Sequence, residues 1–399
     1  MHSGNLRPWL GAAAIGACLA LSQTAPPPAR LLDLSLEPPA LNTNPGPEYQ
    51  DEVRTGGMII GMDRTPKGRL WGCWVGNGDN PNGWFAVASS DDGGATWSRP
   101  RLVIDPTDPP DSPQRRALVG NLWTDPLGRL WLFFDQSLGY FDGRAGDWYT
   151  RCDNPDAAEP RWSAPVRFAD GCTLNKPTVL ENGEWLLPVA LWTRDRIRPE
   201  LLAGAYRELD TIRMANVLVS TDRGATWTRR GGVAFPQTDF DEHMIVERLD
   251  GRLWMLARTK YGLAESFSKD QGRTWSEPRA ASIQNVSARF FIRRLASGRL
   301  LLVKNGPIEV RLPRRSHLMA FLSDDDGKTW GRPLLIDERS AVSYPDGFQA
   351  PDGVIHILYD WNRHTDAEIL MARFREEDVL AGRAPVRTLV NKAQRGKKK

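Results

Sequence analysis

The eight residues SDDGGATW (Ser90–Trp97) decide the fold, because the chain returns to them. STDRGATW (Ser220–Trp227), SKDQGRTW (Ser268–Trp275) and SDDDGKTW (Ser323–Trp330) repeat the pattern Ser-x-Asp-x-Gly-x-Thr-Trp without a mismatch. A fifth, degenerate copy ends at Trp162, after the loop CDNPDAAEP has lost the Ser, Asp and Gly spacing. The pattern has a local cause. Ser and Asp side chains bond backbone N–H groups within a turn, Gly supplies a positive φ, and Trp packs its ring into the neighbouring layer. One such box per repeat is scaffold, so its Asp residues are not read as paired catalytic carboxylates.

Working outward, each box belongs to a longer unit. A Gly turn followed by an apolar strand occurs at Gly68, Gly128, Gly183, Gly251, Gly298 and Gly353, with an average step of about 57 residues. Each unit adds a third strand, such as WFAVAS or MANVLVS, before its box. Four short strands per unit make a propeller blade, so the sequence predicts an all-β, six-bladed β-propeller with four-stranded antiparallel blades. It would occupy residues 46–380. The last blade has no box, and its outer strand is expected from the N-terminal side, around Glu48 to Val53, closing the ring without an exposed edge.

The remaining segments read differently. Arg7 and the apolar run Trp9 to Leu21 form a signal-peptide pattern ending at Ala20-Leu21-Ser22, so residues 1–25 are read as a signal peptide and export to the periplasm or outside the cell is expected. A rival reading makes Cys18 a lipidated anchor. Residues 26–45 form a Pro-rich linker, and residues 381–399, ending in KAQRGKKK, a basic disordered tail. No stretch is long and apolar enough for an integral membrane span. The balance of 52 basic against 49 acidic residues, net +3, argues against a nucleic-acid partner. Cys152 and Cys172 can pair or remain buried thiols. His243, His317, His356 and His364 lack metal-ligand spacing, so no metal or other cofactor is expected.

Four perfect boxes on a six-fold repeat resemble the sialidase (neuraminidase) family across the whole propeller. Boxes alone do not make a hydrolase; the resemblance extends to the family's site positions. The family binds its substrate carboxylate with three arginines. VRTGGMII places Arg54 at the first, with Thr55-Gly56 where the family has Ile-Pro. DEHMIVERLDGRLWMLAR matches the stretch holding the activating Glu and the second Arg, giving Glu242 and Arg258. RSHLMAFLSDDDGKTW places Arg315 at the third, with Arg314 as the alternative. SYPDGFQAPDGVIHILYD places Tyr344 at the nucleophile. Asp79, in the loop of GNGDNPNGWFAVASS, falls at the acid/base position.

The resemblance implies a retaining exo-glycosidase acting on terminal α-linked sialic acid, with sialylated or related acidic glycans as partners. A 2-keto sugar acid carries its carboxylate on the anomeric carbon, which would repel a carboxylate nucleophile; a phenol activated by Glu suits better. Two other readings stay open: a hydrolase of another ulosonic acid of the Kdn or Kdo type, and a non-catalytic carbohydrate-binding propeller. Trp123, Trp192 and Trp361 fall near strand ends, where either sugar stacking or packing is open to them. Each candidate alone has an ordinary structural explanation. What carries the reading is six positions on four blades in the right order.

Overall fold

The computed structural model describes residues 33–107, 114–198, 200–238 and 240–393; the expected signal peptide, Cys18 and the last six residues of the basic tail lie outside them. The described chain forms six antiparallel sheets, each taken up in turn along the sequence, which is the expected propeller. In every blade the Gly turn joins the inner strand to the second, and in blades one to five the box, degenerate in blade two, joins the third to the outer. Blade one shows the rule: Met58–Arg64, Leu70–Gly76, Trp84–Ser90 and Leu102–Ile104. Its second and third strands are buried at every position. Sheets stacked on both faces bury both sides, so LWGCWVG and WFAVASS read as continuous rather than alternating apolar runs.

The boxes do what their chemistry requires. In the third blade the Gly224 N–H donates to Ser220 Oγ at 2.7 Å, while Asp222 accepts from the Thr226 N–H at 2.9 Å and the Thr226 hydroxyl at 2.6 Å. The Thr226 hydroxyl and N–H, helped by Ser220, hold the Asp222 carboxyl down at about 2. Gly224 has φ +84°, and a Cβ there would meet Trp131 of the preceding blade at 2.8 Å. Gly94 of blade one approaches Met371 of blade six in the same way. The box Trp residues also wedge between blades: Trp162 packs edge-on against Trp71 of blade one, and Trp227 against Phe133 of blade two.

Two expectations about the chain ends need correction. The outer strand of blade six is Val386–Lys392, paired with Glu368–Phe374, and so most of the presumed disordered tail is structured. The run VRTLVNK is rich in β-branched residues that suit a strand edge, and a short helix, Glu376–Ala381, turns the chain back to reach it. Residues 48–53 are not a strand. They form a 3-10 turn, Pro47–Tyr49, and a bend, with the Tyr49 ring edge-on to Trp84 at 5.0 Å. Just upstream, Leu41–Asn42 adds a fifth strand to blade one.

Arg54 is one of the residues that tie blade one to blade six, where the inner strands Met58–Arg64 and Val342–Gln349 also pack together. It is buried and donates to Asp51 Oδ1 (3.1 Å), to the carbonyls of Gly56 and Ala367, and to Asn391 Oδ1 of the outer strand of blade six (2.8 Å). Cys73, Cys152 and Cys172 are buried free thiols, which decides that alternative. Among the described residues no helix is long and apolar enough to cross a membrane.

The propeller axis is filled by one polar network. Asp346 of blade six lies between Lys176 Nζ (3.0 Å) and Arg289 Nη2 (3.3 Å) and accepts the Met62 N–H at 2.9 Å. Lys176 also donates to the carbonyls of Met62 and Leu122, and Arg289 to Ile60 O and Asn175 Oδ1. Asn175 in turn donates to the carbonyls of Glu242 and His243 at 3.0 Å. All six blades contribute. Removing one partner of such a buried pair leaves the others uncompensated, so Asp346→Ala should cost about 3–5 kcal/mol, read from the chemical denaturation midpoint; a loss under about 1 kcal/mol would show that the axis is not held this way. Arg54→Ala should speed amide exchange along Val386–Lys392, and unchanged exchange there would remove Arg54 from the seam.

Candidate functional site

Antiparallel order alone decides which loops share a face. Gly turns and boxes open at one end of the propeller. The loops joining second to third strands, and those joining one blade to the next, open at the other. Tyr344, Glu242, Arg258, Arg315 and Asp79 all lie at or beside this second end, in its loops or at the strand ends next to them.

Tyr344 lies within the inner strand of blade six, Val342–Gln349. Between Ser343 and Asp346 this strand advances three residues while its partner advances two, from Asp360 to Leu358. The extra residue is a β-bulge, a device that re-aims a side chain. Tyr344 takes φ +56°, and the adjoining pair Asp241 and Glu242 take +56° and +42°. Left-handed backbone at non-glycine residues costs about 1–3 kcal/mol each and collects at functional sites.

The side chains converge. Tyr344 Oη donates to Glu242 Oε1 at 2.6 Å, and Arg258 Nη1 donates to the same oxygen at 2.7 Å while lying 3.4 Å from Tyr344 Oη. Arg258 Nε donates to Ser287 Oγ (3.0 Å), and Arg315 Nη2 to Ser287 O (3.1 Å). The Arg315 guanidinium stands 5.2 Å from the centre of the Tyr344 ring. Arg314 does not join it; it is exposed, beside the cluster. That selects Arg315 from the adjacent pair.

Arg54 does not join the cluster either. Its donors are taken by the blade-one to blade-six seam, which corrects the expectation that it faces the phenol. The third arginine of the cluster is Arg363, which the sequence reading missed. Its guanidinium lies 4.0 Å from the Tyr344 ring centre, bonded to Ser343 Oγ (2.7 Å) and paired with Asp360 (3.1 Å). Asp79, its side chain partly open to solvent, reaches Arg363 Nη1 at 3.6 Å. The signal for Arg363 was positional: WNRH follows the second strand of blade six as GDNP, with Asp79, follows that of blade one.

Three cations around one phenol set the charge states. Burial would raise the Glu242 carboxyl, but Arg258, the Tyr344 hydroxyl and Arg315 together outweigh it and hold it below the ordinary glutamate range. Burial, then the Glu242 charge, push the Tyr344 phenol up against the pull of the three arginines. Burial, then repulsion from Arg363 and Arg258, lower Arg315. The resting pair is therefore a carboxylate beside a neutral phenol.

An aromatic wall stands on the blade-two to blade-four side. Tyr140 stacks on Trp192 (6.2 Å, 29°), Trp192 meets Phe240 edge-on (4.9 Å), and Arg258 lies over Phe240 (5.2 Å). Burial, and next the Asp79 charge, push the Tyr140 phenol above its ordinary range. Tyr140 was also missed, on the second-to-third-strand loop of blade two. Trp192 backs this wall, Trp123 packs edge-on to Trp185, and half-exposed Trp361 donates to Ser340 O beneath Arg339.

Comparison with known proteins bears on the fold. Among curated proteins no sequence matches. A Hadza microbial sialidase superposes with a TM-score of 0.62 at 18% identity, over 81% of this chain and 66% of that one. The NanB sialidase of Streptococcus pneumoniae gives 0.62 at 14% identity, over 86% of this chain and 71% of its own. The intramolecular trans-sialidase of Ruminococcus gnavus, solved with oseltamivir carboxylate, gives 0.59 at 14%, over 84% and 98%. At such identities the likeness establishes a sialidase-like fold. Residues 68–357 match the BNR repeat-like domain, which takes in blades two to five whole and parts of blades one and six, and the chain belongs to that family.

Proposed function

We propose that this chain is a retaining exo-glycosidase that removes terminal α-linked sialic acid, and the single observation carrying the reading is the Tyr344–Glu242 hydrogen bond of 2.6 Å inside a ring of three arginines. Arg258, Arg315 and Arg363 bind the substrate carboxylate. Their planar forks suit a carboxylate better than lysine would. The anomeric carbon then lies above Tyr344 Oη.

Tyr344 attacks that carbon as its proton passes to Glu242 Oε1, and the glycosidic oxygen leaves with a proton from Asp79. The glycosyl-tyrosine is opened by water, which gives a proton to Asp79 as Glu242 returns one to the departing phenol. Two displacements at one carbon preserve its configuration. In the resting site Glu242 is ionised and Tyr344 protonated, so the base is ready to take the proton that the phenol still holds.

Tyr344→Phe should abolish turnover of an aryl α-sialoside while leaving the fold intact; wild-type rates would exclude the phenol as nucleophile. Glu242→Gln should lower kcat by about 10²–10⁴-fold, the usual range for a general base. Arg363→Ala should weaken an unsaturated sialic-acid analogue by about 30-fold or more, as loss of a buried charge contact does; unchanged affinity would remove Arg363 from the carboxylate site. Parallel assay of sialic acid, Kdn and Kdo glycosides separates the ulosonic-acid alternatives, and binding without any turnover would leave the carbohydrate-binding propeller.

A further inference from the structure

Beside the arginine cluster, between the tops of blades five and six, lies a cavity of about 430 Å³. A single carboxylate does not fill it: at roughly 30 Å³ per water, it has room for more than ten. Its wall carries four basic side chains, Arg314, Arg315, Arg363 and His364, and no carboxylate among the described residues. Arg363 is neutralised from behind by Asp360. Arg315 and Arg314 form no ion pair among the described residues, and Arg314 is exposed.

The position of this cavity relative to Asp79 gives it a use. The departing oxygen must come within hydrogen-bond reach of the group that protonates it. Asp79 is 3.6 Å from Arg363, and a Cβ on its neighbour Gly78 would lie 3.9 Å from His364 Nδ1. A leaving group beside Asp79 therefore emerges over His364 and the basic wall.

We propose that this cavity is a leaving-group subsite for a second oxyanion, a carboxylate or sulfate carried by the residue attached to the departing oxygen, so that the enzyme prefers glycans acidic on both sides of the scissile bond. The inference rests on the glycosidase reading above. The substrate class narrows from sialosides in general to those with an anionic aglycone.

Two aryl α-sialosides with leaving groups of similar electronic character, 3-carboxylatophenyl and 3-carboxamidophenyl, test it. At low ionic strength the wild type should show about fivefold higher kcat/KM for the carboxylate, as expected for a partly exposed ion pair. The advantage should shrink in 0.5 M salt, where the screening length falls to a few ångströms (about 3 Å at 1 M). It should invert in Arg314→Glu, a surface substitution that leaves the carboxylate-binding arginines in place. A 3-sulfonatophenyl glycoside in parallel tells sulfate preference from carboxylate preference. Equal kcat/KM for charged and neutral leaving groups, or an advantage that survives Arg314→Glu, overturns the subsite while the glycosidase reading stands. No turnover of any of the three overturns both.

Discussion

Asp346 sits on the propeller axis between Lys176 and Arg289, and two residues before it on the same strand, across a bulge, is Tyr344. The same network reaches Glu242 from below, because Asn175, which accepts from Arg289, donates to the Glu242 carbonyl. Phenol and carboxylate are thus hung from one buried ionic cluster that includes every blade. A close Tyr–Glu contact between blades six and four needs both backbones located to a fraction of an ångström, and surface loops alone would not supply that. Backbone strain at Tyr344, Asp241 and Glu242 is sustained because the axis beneath them cannot relax.

Above that anchor, charge does the organising. Three guanidinium groups near one phenol repel one another, and Glu242, Asp360 and Asp79 offset the repulsion from three directions. Arg315 alone of the three makes no direct ion pair among the described residues and feels the Glu242 charge only at longer range. The aromatic wall of Tyr140, Trp192 and Phe240 closes the opposite side and lowers the local dielectric, strengthening each of these interactions.

The contrast between Arg54 and Arg363 shows how far a one-dimensional reading reaches. Both flank strands of the joined first and sixth blades, and both open on the same face. Which guanidinium turns toward the phenol depends on where Asn391 and Asp360 lie, and those partners are remote in sequence from Arg54 and three residues from Arg363. The expected role of Glu48 to Val53 failed for a related reason: an edge strand needs only a partner edge, and the C-terminal run Val386–Lys392 occupies it, brought back by a short helix.

The repeats by themselves determined the blade count, the antiparallel order and the face on which any site must open. Boxes and Gly turns act within a few residues, through local hydrogen bonds and positive φ, and so they are written plainly in the chain. Tyr344, Glu242 and Arg258 were legible because each lies inside a stretch patterned by its own strand and turn. The third arginine, the aromatic wall and the axial network were decided only by the closed ring. Their energies come from contacts between blades, and a buried charge is stable only where remote residues bring its counter-charge to it.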